Sequence, residues 1–334
     1  MTVGRSAIPE PVTAVTELAG AWLPARLAEV EAGLETLVAE QRPPLAGDAA
    51  ETLAAGGKRM RPLLVLLCAG PEAGEGAIDA AMAIELVHMA TLVHDDVLDA
   101  APLRRGRPTV VAASGRERAL ATGDLLFSLA FALLARGGGG TGESDRVARV
   151  RALTDASSAL ARGELMQRAD AYDLSVDADR YMRRCILKTA ALFECACVIG
   201  RRRPAAEERA LRVFGREIGL AFQLLDDVLD VAGPPERTGK ARGTDLLDGT
   251  VTLPLIRAIP RDRSLGELDL RGLRPESAER ACDAIAATGA LDEVRADARS
   301  RIESAKRELA GAGLGGDGLR LLAMVADGVV ERYA

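Results

Sequence analysis

Aromatic side chains are scarce in this sequence: five Phe, three Tyr and one Trp make up only 3% of 334 residues, against 48% hydrophobic residues in all. The core must therefore be built from Ala, Leu and Val, a composition that favours helix over strand. Histidine is scarcer still. His88 and His94 are the only two, and no cysteine or third histidine joins them at ligand spacing, which speaks against zinc. The five cysteines (Cys68, Cys185, Cys195, Cys197, Cys282) form no CxxC pair. A disulfide framework is thus not expected, and they read as reduced core residues of a cytoplasmic protein.

Positive charge is not in excess either. The net charge is -6, the pI is near 5.3, and charged residues, 28% of the chain, are spread along it. That leaves no basic stripe for nucleic acid. The longest apolar stretches, 63–69 and 125–135, fall short of the roughly 20 residues that span a bilayer, so no transmembrane segment is expected and any membrane contact would be peripheral. No apolar block with a small-residue cleavage site follows Arg5, and no secretory signal is expected.

Strand-like alternation is also hard to find, whereas apolar residues recur at helical spacing almost throughout, so an all-α fold is expected. Gly- and Pro-rich breaks fall at 41–44, 56–62, 70–76, 102–108, 137–142, 233–249 and 260–275. They separate about ten helices, a count read from the pattern. None of the breaks suits an interdomain linker, so residues 1–334 are read as one domain, with an N-terminal helical segment at 1–40, a motif-bearing core at 56–254 and C-terminal helices at 275–334. Segments 77–99 and 210–231 are hydrophobic almost all round and belong inside a bundle. The glycine run at 137–142 reads as a flexible surface loop.

What the chain does have is a repeat. The pentapeptide DDVLD closes both 90–99 and 221–230, the two copies starting 131 residues apart. At 3.6 residues per turn Asp95 and Asp99 share a helix face with Asp96 beside them, and Asp226, Asp230 and Asp227 repeat the pattern. Crowded carboxylates at the end of an apolar helix repel one another and are costly to desolvate, so a cation is expected there. Magnesium, which shares itself between one or two carboxylates and substrate phosphates, fits, and two facing triads would clamp a diphosphate. A single DDxxD is an ordinary solvated helix end; two identical copies on apolar helices are much harder to explain that way.

Basic, Gly-rich segments flank both copies: GGKRMRP at 56–62, LRRGRPT at 103–109 and TGK at 238–240. Arg offers a planar fork to phosphate oxygens, Lys a compact charge, and glycine lets the backbone approach. Lys188 lies in a mostly apolar stretch, 181–200, where an unpaired ammonium is costly and a diphosphate would supply its partner.

These motifs, together with ELVHMATLVHDDVLDAAPLRRGRPT, the TGD at 122–124, GELMQ at 163–167, KTA at 188–190, FQLLDDVLD and GKARGTDLLDGTVTLP, resemble the trans-isoprenyl diphosphate synthases, or polyprenyl synthetases, over residues 56–254. The resemblance implies a large helical bundle of the isoprenoid synthase type around a central active-site cavity. It implies that Asp95, Asp96, Asp99, Asp226, Asp227 and Asp230 hold Mg2+, three ions per site, against an allylic diphosphate. Arg104, Lys188, Thr189, Gln223 and Lys240 fall where the family grips that substrate, Lys188 and Lys240 counting with the catalytic groups. Lys58, Arg61, His88 and Arg105 match positions that bind the diphosphate of isopentenyl diphosphate, and His94 is a supporting residue.

The implied reaction is Mg2+-dependent condensation of isopentenyl diphosphate with an allylic diphosphate. Small residues at Ala90 and Thr91, upstream of the first triad, leave a passage for the growing chain, so products of twenty carbons or more are expected. Homodimers are usual in the family, though some long-chain systems need a dissimilar second subunit. Thr250 stands where the family often has Lys, removing one phosphate contact. Two alternatives remain. A class I terpene cyclase carries a second motif of the form NDxxSxxxE, where this chain repeats DDVLD; a non-catalytic helical subunit would be expected to have lost its triads, which are intact here.

Overall fold

The computed structural model describes residues 10–136, 142–233 and 242–331. The fold is all-α, as expected. Among the described residues the strands are two residues each, Leu103–Arg104 pairing antiparallel with Arg107–Pro108. This hairpin occupies the break foreseen at 102–108. Helical segments outnumber the ten expected, because short ones such as Val110–Ser114, Thr244–Leu247 and Leu253–Ala258 add to the long helices, the second of them inside the break expected at 233–249. The break expected at 137–142 lies, except for its last residue, outside the described residues.

The chain groups into two compact units, the first drawn from the described parts of Met1–Asp155, Cys195–Leu211 and Leu314–Val325. In chain order its helices begin with α1 (Glu10–Ala19), α2 (Trp22–Ala39), α3 (Leu45–Ala54), α4 (Met60–Ala69), α5 (Glu75–Leu98), α6 (Val110–Ser114) and α7 (Arg116–Arg136). The middle belongs to α5, which α2, α3, α4 and α7 surround. Its sequence explains this. Ala77, Ala80, Ala81, Ile84, Leu86, Val87, Met89 and Ala90 point to all sides and are all buried, so every face needs an apolar neighbour. Short side chains bring the helices close: a Cβ at Gly123 of α7 would lie 2.1 Å from the His94 ring of α5. Contrary to the sequence reading, α5 and α7 are each long and apolar enough to cross a membrane, but 72% of the most apolar window of α5 is buried inside the protein, as befits a core helix.

Two local devices place the first motif. Asp99 ends α5, its N–H donating to the Asp95 carbonyl at 2.8 Å, and the Ala101 N–H turns back to the Asp96 carbonyl at 3.0 Å. Thr109 then caps α6 by accepting from the Ala112 N–H at 3.2 Å while its hydroxyl donates to the Ala101 carbonyl at 2.6 Å. The hairpin is thereby tied back to the helix end.

The second unit draws on Ala156–Glu194, Arg212–Gly313 and the described part of Ala326–Ala334. It takes in the later part of α8 (Glu143–Ala169), then α9 (Ala178–Cys185), the start of α10 (Ala191–Ile199) and most of α11 (Ala205–Ala232). Asp177 starts α9 by accepting from the Arg180 N–H at 2.8 Å, a cap whose removal costs about 1 kcal/mol. The helix expected over 181–200 is interrupted by a π-helical turn, Ile186–Ala190, which an apolar pattern does not reveal. Two glycines make room for it. A Cβ at Gly163 of α8 would lie 2.5 Å from the Lys188 backbone nitrogen, and one at Gly219 of α11 would lie 2.6 Å from the Ala190 Cα. Such π turns concentrate at functional sites.

Candidate active site

In the first unit the three aspartates of the motif take different positions. Asp96 is 4% exposed and accepts from Arg104 on the hairpin, Nε at 2.8 Å and Nη2 at 2.7 Å. Asp95 is half-buried and Asp99 is exposed. His94 serves packing between α5 and α7: its Nε2 lies 3.3 Å from the Leu120 carbonyl, and its ring sits against Phe127 with centroids 5.9 Å apart.

Around His88, about two turns before Asp95 on α5, four arginines gather. Arg59, held with a left-handed backbone at φ 47°, reaches Glu85 at 2.8 Å and also pairs with Glu31. Glu85 is 2% exposed, a buried carboxylate that the apolar run of α5 concealed although its charge was the available signal. Burial lowers the Arg61 guanidinium to about 10 despite the compensating charge of Glu85. Burial first, then Arg61, Arg105, Arg104 and Arg59, push the His88 imidazole well below its usual range and keep it neutral. Gly57 matters here, since a Cβ would lie 3.0 Å from the Arg59 head and 3.1 Å from that of Arg105. With Lys58 alongside in sequence, this is a surplus of positive charge suited to an anion. Ala90 is fully buried, and half-buried Thr91 spends its hydroxyl on the His88 carbonyl at 2.8 Å.

In the second unit the motif closes α11. Asp227 is 2% exposed, and each of its oxygens accepts from a neutral donor, the Tyr181 hydroxyl at 2.5 Å and the Gln223 amide at 2.7 Å. Thr189 extends the chain by donating to the Gln223 carbonyl oxygen at 2.8 Å. Burial, with the charge of Asp226 added, raises the Asp227 carboxyl to about 7, and Tyr181, Gln223 and Arg184 offset this only in part. Asp226 is exposed and Asp230 half-buried; an Asp230 oxygen accepts from the Asp245 N–H at 3.2 Å.

Lys188, in the π turn, is not the unpaired ammonium that its apolar surroundings suggested: the chain supplies Glu164 from the GELMQ segment. Thr250 donates its N–H to the Asp245 carbonyl at 2.8 Å. Lys240 lies outside the described residues. Sequence reasoning singled out neither Tyr181 nor Glu164, because each matters through a partner far along the chain.

The donor set suits magnesium. All six motif side chains offer hard oxygens, and burial, with the charge of Asp226 added, disfavours the ionised form of Asp227, a setting that a nearby divalent cation relieves. Among the described residues no three His, Cys, Asp or Glu side chains meet at one metal-sized point. Magnesium bound through one or two carboxylates, with phosphate completing its shell, needs no such cage.

Residues 43–285 match the profile of the polyprenyl synthetase family. The chain is 40% identical over 273 residues to the heptaprenyl diphosphate synthase component 2 of Geobacillus stearothermophilus, covering 80% of this chain and 83% of that protein. It is 33% identical over 320 residues to the geranylgeranyl diphosphate synthase of Methanosarcina mazei, covering 92% and 96%. The crystal structure of a Caulobacter crescentus polyprenyl synthase complexed with calcium and isoprenyl diphosphate superposes with a TM-score of 0.81 at 34% identity, covering 95% of this chain and 99% of that one.

Proposed function

The chain belongs to the polyprenyl synthetase family and is a prenyl diphosphate synthase, and on that premise we propose that it condenses isopentenyl diphosphate with an allylic diphosphate in a Mg2+-dependent reaction. The observation that carries the proposal is the charge arrangement: duplicated aspartate motifs at helix ends, one beside the arginines around His88, the other beside Lys188 and Thr189. In this reading Asp95, Asp99, Asp226 and Asp230, the more exposed members, would hold Mg2+ ions. Buried Asp96 and Asp227 position them.

Mg2+, when bound, neutralises charge that builds on the leaving diphosphate. Lys188, Thr189 and Gln223, with Lys240 and Arg104, hold that diphosphate while the allylic carbon–oxygen bond breaks and the electron pair departs with oxygen. Lys58, Arg61, Arg105 and neutral His88 hold isopentenyl diphosphate, whose double bond attacks the allylic cation. A proton then passes from that new cation to an oxygen of the departing diphosphate, which restores a double bond. Apolar helix walls such as those of α5 exclude water from the cation.

We place the passage for the growing chain along α5. At about 1.5 Å per residue, Ala90 lies roughly 7.5 Å below Asp95, and a methyl group there leaves room for products of twenty carbons or more. Incubating the purified chain with Mg2+, isopentenyl diphosphate and primers of increasing length, followed by product sizing, tests the whole reading; no elongation with any primer defeats it. Ala90→Phe should shorten the product, and an unchanged length removes Ala90 from the passage. One relative is named as a component 2, which favours a second reading in which this chain works with a different partner rather than as a homodimer. Activity of the purified chain alone separates the two.

A further inference from the structure

Lys188 is fixed by several features of the second unit at once. It sits in the π turn, Gly163 of α8 presses on its backbone, and the next residue, Glu164, takes its ammonium through Oε2. The pair is not sealed: 25% of the Lys188 side chain and 16% of that of Glu164 are exposed, so an anion can reach the ammonium. Glu164 has a second cation. Arg168, one turn along α8, donates Nε to the other oxygen, Oε1, at 2.8 Å. The two cations thus hold different oxygens of one carboxylate, and either can leave without stranding it. Burial works against ionised Glu164, but Lys188 and Arg168 outweigh it and hold its carboxyl below the usual range.

We infer that Glu164 is a positioning residue that competes with diphosphate for the Lys188 ammonium. An arriving diphosphate draws Lys188 away while Arg168 retains Glu164, and Glu164 recaptures Lys188 as inorganic pyrophosphate departs. The physical need is clear. A lysine without a counter-ion in a mostly apolar helix would hold a multiply charged product tightly, whereas a waiting carboxylate offsets the loss of the ligand and weakens the grip. The inference rests on the reading of Lys188 as a diphosphate ligand given above.

The test uses the full chain with Mg2+ and inorganic pyrophosphate as the probe, its binding followed by calorimetry and its inhibition of turnover measured in parallel. Glu164→Gln should tighten pyrophosphate binding about fivefold, the scale of one partly exposed ion pair, with the KM for isopentenyl diphosphate unchanged. Arg168→Gln should act in the opposite direction, weakening binding about twofold, because Glu164 then depends more on Lys188. This second variant leaves the Glu164–Lys188 pair in place, so it answers the question even where Glu164→Gln disturbs the π turn. In a Lys188→Ala background Glu164→Gln should do nothing further. Unchanged or weaker binding in Glu164→Gln, shifts of the same sign in both variants, or an effect that persists without Lys188 would each overturn the inference. If Lys188→Ala itself leaves pyrophosphate binding unaltered, it is the assignment of Lys188 to the diphosphate that fails.

Discussion

The pentapeptide DDVLD occurs twice, and in both copies the middle aspartate is buried while its neighbours stay nearer to water. What steadies that buried carboxylate differs. Asp96 takes a guanidinium, Arg104, from eight residues along the chain. Asp227 takes two neutral donors, one of them Tyr181, 46 residues away. A cation beside a buried carboxylate balances its charge, whereas neutral donors satisfy its lone pairs and leave the charge, and at Asp227 they offset the cost of burial only in part. Identical sequence therefore gives two carboxylate clusters of unlike electrostatics, and the second has more to gain from a bound divalent cation.

The sharpest way to break the comparison is to remove one exposed carboxylate from each copy. Asp95→Ala and Asp226→Ala should each lower kcat/KM by about a thousandfold or more at saturating Mg2+. Steady-state assays that found one variant active would show that the copies do not share the work. Backbone packing gives the next contrast. At Gly163 an added methyl meets the Lys188 backbone, which cannot give way, whereas at Gly123 it meets the His94 ring, which can. Gly163→Ala should cost about 3 kcal/mol and Gly123→Ala about 1 kcal/mol, read from denaturant midpoints.

The partners of the buried aspartates come third. Tyr181→Phe should destabilise by about 1–2 kcal/mol at any ionic strength, since it strips a donor from a buried carboxylate. Arg104→Ala should cost about 1 kcal/mol at low salt and less at high salt, because that guanidinium is 33% exposed and screened. Denaturation of both variants at two salt concentrations decides; equal salt dependence would mean that Asp96 and Asp227 are steadied in the same way. The smallest effect concerns His88. Its folded-state pKa lies below the unfolded value of about 6.5, so the unfolded chain takes up the proton first as pH falls. Stability of the ligand-free protein should be full above that pH and decline below it, and His88→Asn should flatten the decline. A ring resonance titrating at or above the ordinary midpoint would show that the arginine cluster does not act on it.

Much of this was legible in the residues. Helical periodicity and the shortage of aromatics pointed to an all-α fold, and the all-round apolar pattern of 77–99 matched the core helix Glu75–Leu98 to within two residues. The acidic repeat and its basic neighbours marked the chemistry. The Arg104–Asp96 pair was within reach too, since both residues lie in the segment 85–109. Tyr181 and Glu164 were not, for each earns its place through a partner 46 or 24 residues distant, and Glu85 showed its charge but not its burial.

By itself the sequence determined that the fold is all-α, that 77–99 forms a core helix, and that two carboxylate triplets lie at helix ends, because periodicity and spacing are local properties of a chain. Only the tertiary structure decided which aspartate of each triplet is buried, what neutralises it, that Lys188 sits in a π turn against Gly163, and that its ammonium already has a carboxylate. Burial and pairing energies depend on whatever long-range packing brings alongside, and a short stretch of sequence carries no record of its distant neighbours.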